Sequence, residues 1–194
     1  VTTTGDATAA KILDAGRQLI MRRGYSNFSY ADVSAAVEIH KASIHHHYPT
    51  KPDLALAVTH HSSDIFLADM AALAASGASP LVQLQGYLDY WGGCLEHDPQ
   101  AYCVAGMLGA EAPFLRDDVA AAVGQYFACI ASWLENLLSA GAASGEFRLS
   151  GSAKNEAAEL MSLIYGAMLV ARATRNPDHF KLATGPAVAR LTGA

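Results

Sequence analysis

The apolar positions along this chain recur at helical spacing almost from end to end, and nowhere in the strict alternation of a half-buried strand. Leu81, Leu84, Leu88, Trp91 and Leu95 make one continuous seam, which predicts a helix over about 80–96. A stretch over about 117–143 carries Val123, Phe127, Ile130, Trp133, Leu134, Leu137 and Leu138, and one over about 153–175 carries Leu160, Met161, Leu163, Ile164, Met168, Leu169 and Val170. Both are apolar on more than one stripe, so each has to be covered on two sides. Nearer the start, Ile12, Gly16, Leu19 and Ile20 mark a helix from Asp6, its N-cap, to about Arg23, after an arm at 1–5. Leu54, Val58, Ile65 and Phe66 mark another from Pro52 toward Leu73. Asp98 followed by Pro99 reads as the N-cap and first position of a helix ending near Gly109, and a short helix follows Asn176 and Pro177. The expectation is an all-α chain.

Between the first and fourth helices lies a shorter pattern. Ser29 is an N-cap with Asp32 at N3, which opens a short helix through Val33 and Val37 to a turn at Glu38 and Ile39. A second short helix runs from Lys41 to about Tyr48, where Pro49 stops it. Two short helices joined by a tight turn are a helix-turn-helix. On a wheel with Ile44 inward, Ala42 and His46 point most nearly outward and Ser43 and His45 flank them. Small residues there permit close approach to a surface, and Lys41, His45, His46, His47 and Lys51 are donors for phosphate oxygens. The outer face suits a major groove.

The run GYSNFSYADVSAAVEIHKASIHHHYPTKPDL, residues 24–54, resembles the DNA-binding domain of the tetracycline-repressor (TetR/AcrR) family of bacterial transcription factors. The resemblance rests on Gly24, Tyr25, Ser29, Asp32, Val33, Lys41, Ser43, Ile44, His46, Pro49 and Lys51. Glu38 stands where the family usually has a glycine, and His45 and His47 replace two tyrosines. The resemblance implies a three-helix DNA-binding head over 1–55 and a larger helical effector-binding and dimerisation body over 56–194. It implies Ser29, Lys41, Ala42, Ser43, His45, His46, His47 and Lys51 as DNA contacts, a pseudo-palindromic double-stranded operator, a homodimer paired through a four-helix interface, and a small-molecule inducer whose binding usually releases the DNA.

Composition narrows this further. With 52% hydrophobic and 16% charged residues the 194-residue chain is a folded rather than a disordered protein. No apolar run suggests a membrane span and no secretory signal precedes the first helix, so the expected location is cytoplasmic. Cys94, Cys103 and Cys129 are spaced for neither a disulfide framework nor a zinc site, which fits a reducing compartment. The net charge of −5 is uneven: six lysines and arginines face five acids in residues 1–60, leaving that part at +1 and the remainder at −6. Such a head binds DNA only if few phosphates are contacted per subunit and two subunits share the task.

Other chemistry finds less support. His45, His46 and His47 point 100° apart in turn and cannot converge on one ion, the adjacent His60 and His61 read as solvated surface, and no metal or cofactor is expected. No G-x-S-x-G, P-loop or G-x-G-x-x-G occurs, and the expectation is no enzyme. Tyr87, Trp91, Cys103, Met107, Phe114, Tyr126, Met161, Tyr165 and Met168 are candidates to line an inducer pocket, set against ordinary core packing, and the few charges nearby favour an apolar or aromatic ligand. Gly124, Phe127, Ala128, Leu134, Leu163, Gly166, Ala167 and Val170 are candidates for the dimer face. Two alternatives stand beside the ligand-released repressor. AYCVAGMLGAE resembles a segment of family members that sense electrophiles or oxidants by a cysteine, which makes Cys103 a sensor or a packed thiol, and a helical carrier or adaptor without DNA binding is the reading from a different class.

Overall fold

The computed structural model describes residues 4–98 and 102–193. Among them the regular structure is helical: α1 (Thr4–Arg23), α2 (Tyr30–Val37), α3 (Lys41–His47), α4 (Lys51–Ala75), α5 (Pro80–His97), α6 (Val104–Ala110), α7 (Asp117–Ser144), α8 (Ala153–Thr174) and α9 (Asp178–Thr192), with a 3-10 turn at Ala112–Phe114. The all-α expectation holds. Three details differ. The chain is already helical at Thr4, so Asp6 lies inside α1 rather than at its N-cap, and of the arm expected over 1–5 the first three residues lie outside those described. Asp98 caps the C-terminal end of α5, and the expected first position at Pro99 also lies outside the described residues. The helix read as starting there begins instead at Val104, after an extended Cys103. The closing helix is 15 residues long rather than short, because Phe180, Thr184 and Leu191 give it a buried face.

The described chain divides into two compact units, one of Val1–Ile65 with Cys103–Tyr126 and the other of Phe66–Tyr102 with Phe127–Ala194. The first unit takes in α6 and the start of α7 because Glu111 and Arg116 hydrogen-bond to residues of the head. Within it, Ile12 and Ile20 of α1 are fully buried, and Gly16 lies between them where Leu54 of α4 would stand 3.1 Å from any Cβ. Within the second unit α8 packs along α9 and against α5. Glu156, 4% exposed, accepts from the Ser150 backbone N–H and from Arg190, so its charge is both neutralised and hydrogen-bonded. By length and composition α8 also passes as a membrane span, yet here it is a packed helix between α5 and α9.

The turn between α2 and α3 is made by Glu38, in the left-handed region at φ 56° and ψ 39°, whose N–H bonds back to the Ser34 carbonyl. Glycine takes that conformation without the Cβ clash that any other L-residue meets. Glu38→Gly is therefore expected to stabilise the protein by about 0.5–1 kcal/mol, after allowing for the greater freedom of glycine in the unfolded chain. A higher urea midpoint with an unchanged slope is the result that checks it.

Candidate nucleic-acid interface and aromatic cluster

The interface begins with the way α2 is opened. Ser29 Oγ accepts from the Ala31 N–H, and Asp32 accepts from both the N–H and the hydroxyl of Ser29, a complete capping box. These bonds, the Ser29 hydroxyl first, hold the Asp32 carboxyl below its ordinary range, and Arg23 adds an ion pair at 2.9 Å. Ser34 Oγ donates to the Ile39 carbonyl and fastens the turn. α3 is then set by Ile44, fully buried, and by the Tyr30 hydroxyl donating to the Tyr48 carbonyl. Burial, ahead of the neighbouring Asp53, pushes the Tyr30 phenol up to about 12, so it remains a donor at any working pH.

With Ile44 inward, Lys41, Ala42, Ser43, His45 and His46 are exposed and His47 is half-buried. His45 is already engaged: Nδ1 lies 2.9 Å from the Pro49 carbonyl and the ring meets Tyr30 edge-on at 4.8 Å. Its Nε2 edge is the one left to face outward. Lys51 is also engaged within the head: its ammonium donates to the Phe28 carbonyl at 2.6 Å and lies 4.6 and 4.5 Å from the ring centres of Tyr25 and Phe28. Burial lowers its pKa, against the pull of Glu111 and Asp32.

The sequence reading missed two groups that fix the head. Glu111, at the end of α6, accepts from the N–H groups of Tyr25 and Ser26 at 2.6 and 2.9 Å. Gly24 beside them is at φ 81°, and a Cβ there would collide with the same carboxylate, so the glycine serves the turn and the approach together. Arg116 bonds Asp118 and Asp53, and Asp53 in turn accepts from the N–H and hydroxyl of Thr50 at the start of α4. Both partners lie some 60 to 90 residues from the groups they hold, beyond the reach of any local pattern. A groove of about 790 Å³ between α1 and α2 is faced by Lys11, Asp14, Arg22, Arg23 and Glu38, charges of both signs that favour neither a cation nor an anion.

The inducer candidates fall in both units. In the first, Cys103 is 4% exposed and its thiol donates to the Tyr126 hydroxyl at 3.6 Å, Tyr126 is buried and Met107 half-buried. Phe114 is corrected as a lining residue, because on its 3-10 turn it is 74% exposed. In the second, Tyr87 and Trp91 join Phe66 and Trp133 in a cluster of edge-to-face rings, and Trp91 Nε1 is buried with no hydrogen-bond partner among the described residues. In the sequence Phe66 and Trp133 belong to apolar stripes, with no local signal that marks them as ring partners of Tyr87. Met168 is buried, Met161 and Tyr165 are half-buried, and the Tyr165 carbonyl accepts from the Tyr102 hydroxyl. Of the dimer candidates, Gly124, Ala128, Gly166 and Val170 are exposed and Phe127 and Leu163 half-buried. Leu134 and Ala167 are corrected: both are buried in the chain's own core and offer no surface to a second copy.

A helix-turn-helix with an exposed, small-residue second helix, on an otherwise helical chain, defines a DNA-binding regulator. The chain matches the model for bacterial regulatory proteins of the tetR family over residues 12–58 and the model for the tetracyclin repressor-like C-terminal domain over residues 80–185. A TetR-family transcriptional regulator from Agrobacterium tumefaciens is 38% identical over 97% of this chain and 100% of its own, with a TM-score of 0.94. The regulatory protein TetR from Rhodobacter sphaeroides, 22% identical over 94% of this chain and 97% of its own, superposes at 0.87, and the reduced form of NemR from E. coli, also 22% identical, at 0.81 over 95% and 97%. No curated protein matches. The chain belongs to the TetR family and is a DNA-binding transcriptional regulator, of a kind generally without enzymatic activity.

The carboxylates of this unit set its response to acid. Asp32, Asp53 and Glu111 all have lowered pKa values; for Glu111 burial pushes upward and is outweighed by the hydrogen bonds from Ser26 and Tyr25. A group lowered in the folded state contributes stability that is complete above its unfolded value and is lost as pH falls through its folded one. The urea midpoint is expected to hold from pH 7 to about 5 and to fall below that. Glu111→Gln is expected to lower the midpoint at pH 7 and to reduce its fall between pH 5 and 3.5, measured by the same denaturation series.

Proposed function

We propose that this regulator is a cytoplasmic homodimeric repressor, holding a pseudo-palindromic operator through α3 of each copy and leaving it when a small, largely apolar or aromatic ligand binds the body. The observation that carries the reading is the outer surface of α3, where Lys41, Ala42, Ser43 and His46 are exposed around a residue too small to obstruct a groove floor. Pairing is supported by an apolar stripe on α8, with Gly166 exposed, Leu169 at 55% and Val170 at 39%. An apolar face at that spacing on a packed helix fits a second copy of itself. The cluster around Trp91 supports an aromatic ligand. The buried, hydrogen-bonded thiol of Cys103 is assigned to packing in this reading.

The half-sites should lie about one helical turn apart or somewhat more, and affinity should fall steeply with salt. Ala42→Glu would set a carboxylate against the groove floor and is expected to abolish operator binding, at least a hundredfold, while sedimentation still reports a dimer. Retained binding would overturn the assignment of α3, and a wild-type chain that shifts no duplex at low salt would turn the reading to a carrier or adaptor. Val170→Glu is expected to split the dimer and weaken DNA binding with it. After N-ethylmaleimide, wild type and Cys103→Ser are expected to titrate onto operator alike, whereas a loss confined to wild type would make Cys103 the sensor.

A further inference from the structure

The second unit holds four aromatic rings in mutual contact. Phe66 lies past the middle of α4, Tyr87 and Trp91 one turn apart on α5, and Trp133 on α7. Tyr87 is at their centre, 5.8 Å from Phe66, 6.4 Å from Trp91 and 5.1 Å from Trp133, each pair edge to face. Packing alone accounts for such rings. It does not account for the indole nitrogen of Trp91. The side chain is 7% exposed, and its N–H has no acceptor among the described residues. A buried donor without an acceptor is destabilising, and phenylalanine or leucine would fill the position without that penalty.

We propose that the acceptor comes from the ligand: Trp91 Nε1 is the hydrogen-bond donor of the effector site, and the effector is a neutral, flat, apolar molecule bearing a carbonyl-type oxygen. The inference rests on the reading of the chain as a ligand-released regulator and names the ligand chemistry of that site. An indole N–H only donates, so it selects an acceptor. Edge-to-face rings select a flat apolar body. Neutrality follows from the charges: among the described residues of this unit the buried one is Glu156, already held by Ser150 and Arg190, and the half-buried Arg172 is engaged over the Tyr102 ring at 5.9 Å. A carboxylate brought to Trp91 would lose its hydration without a buried counter-charge.

Two probes separate the donor from the rings around it. α-Tetralone and tetralin share one bicyclic body and differ by a ketone oxygen, and neither alkylates thiols. In titration calorimetry with the full chain, α-tetralone is expected to bind about five- to tenfold more tightly than tetralin, the worth of one neutral hydrogen bond. Trp91→Phe should bind the two alike. If that variant is poorly folded, ¹⁵N-labelled wild type gives the same answer: of its two indole resonances, assigned with Trp133→Phe, the one from Trp91 should move with α-tetralone and hold still with tetralin. Equal affinity without movement, or no binding of either probe, overturns the proposal and makes the cluster closed core. Gel shifts on the same preparations keep the two readings apart. A chain that binds operator, and is released by compounds that leave the Trp91 resonance in place, remains a ligand-released repressor with its donor elsewhere.

Discussion

A seven-residue helix does not hold itself together in water, because nucleation fixes several residues for each hydrogen bond gained. α3 is such a helix, and it carries the surface on which DNA binding depends. What holds it is one buried side chain and one buried hydroxyl. Ile44 is fully enclosed, and Tyr30 reaches from α2 to the Tyr48 carbonyl where α3 ends. Everything outward on α3 follows from that anchoring, since fixing Ile44 fixes the direction of Ala42 and His46 one wheel position at a time.

The anchoring has to be supported in turn. α2 is capped by Ser29 and Asp32, α4 by Thr50 and Asp53, and both caps are tied further, to Arg23 and to Arg116. Lys51 is used for the same purpose, spanning the Phe28 carbonyl and two aromatic faces. The carboxylate of Glu111 closes the turn after α1. Charged residues that a pattern would assign to DNA or to solvent are thus spent within the unit, which leaves few for phosphates and agrees with a head of only +1. Affinity that depends on few contacts per subunit gives a physical reason for two subunits to share one operator.

In the second unit the same economy is absent within the aromatic cluster. Glu156 is buried and fully answered, and Tyr102 finds the Tyr165 carbonyl, but the Trp91 indole N–H has no acceptor among the described residues. Buried polar groups are so regularly paired that a solitary one marks a position where the chain by itself is incomplete.

The sequence by itself determined the all-helical pattern, the Ser29–Asp32 cap and the inward choice of Ile44, because these depend on periodicity and on residues three or four apart; the caps read at Asp6 and Asp98 did not hold. It also marked Glu38 as an unusual turn residue, and the left-handed backbone there is the reason. What only the tertiary structure decided was where charges and rings at long separation end up. Lys51 meets Phe28 and Tyr25 within the head, which its own helix does not announce, and Leu134 and Ala167 read as interface until the core closes over them. Glu111 lies 86 residues from the N–H it accepts, and Phe66 and Trp133 reach Tyr87 from separate helices. A helical repeat fixes which side of its own helix a residue occupies; what that side meets is set by how the helices pack.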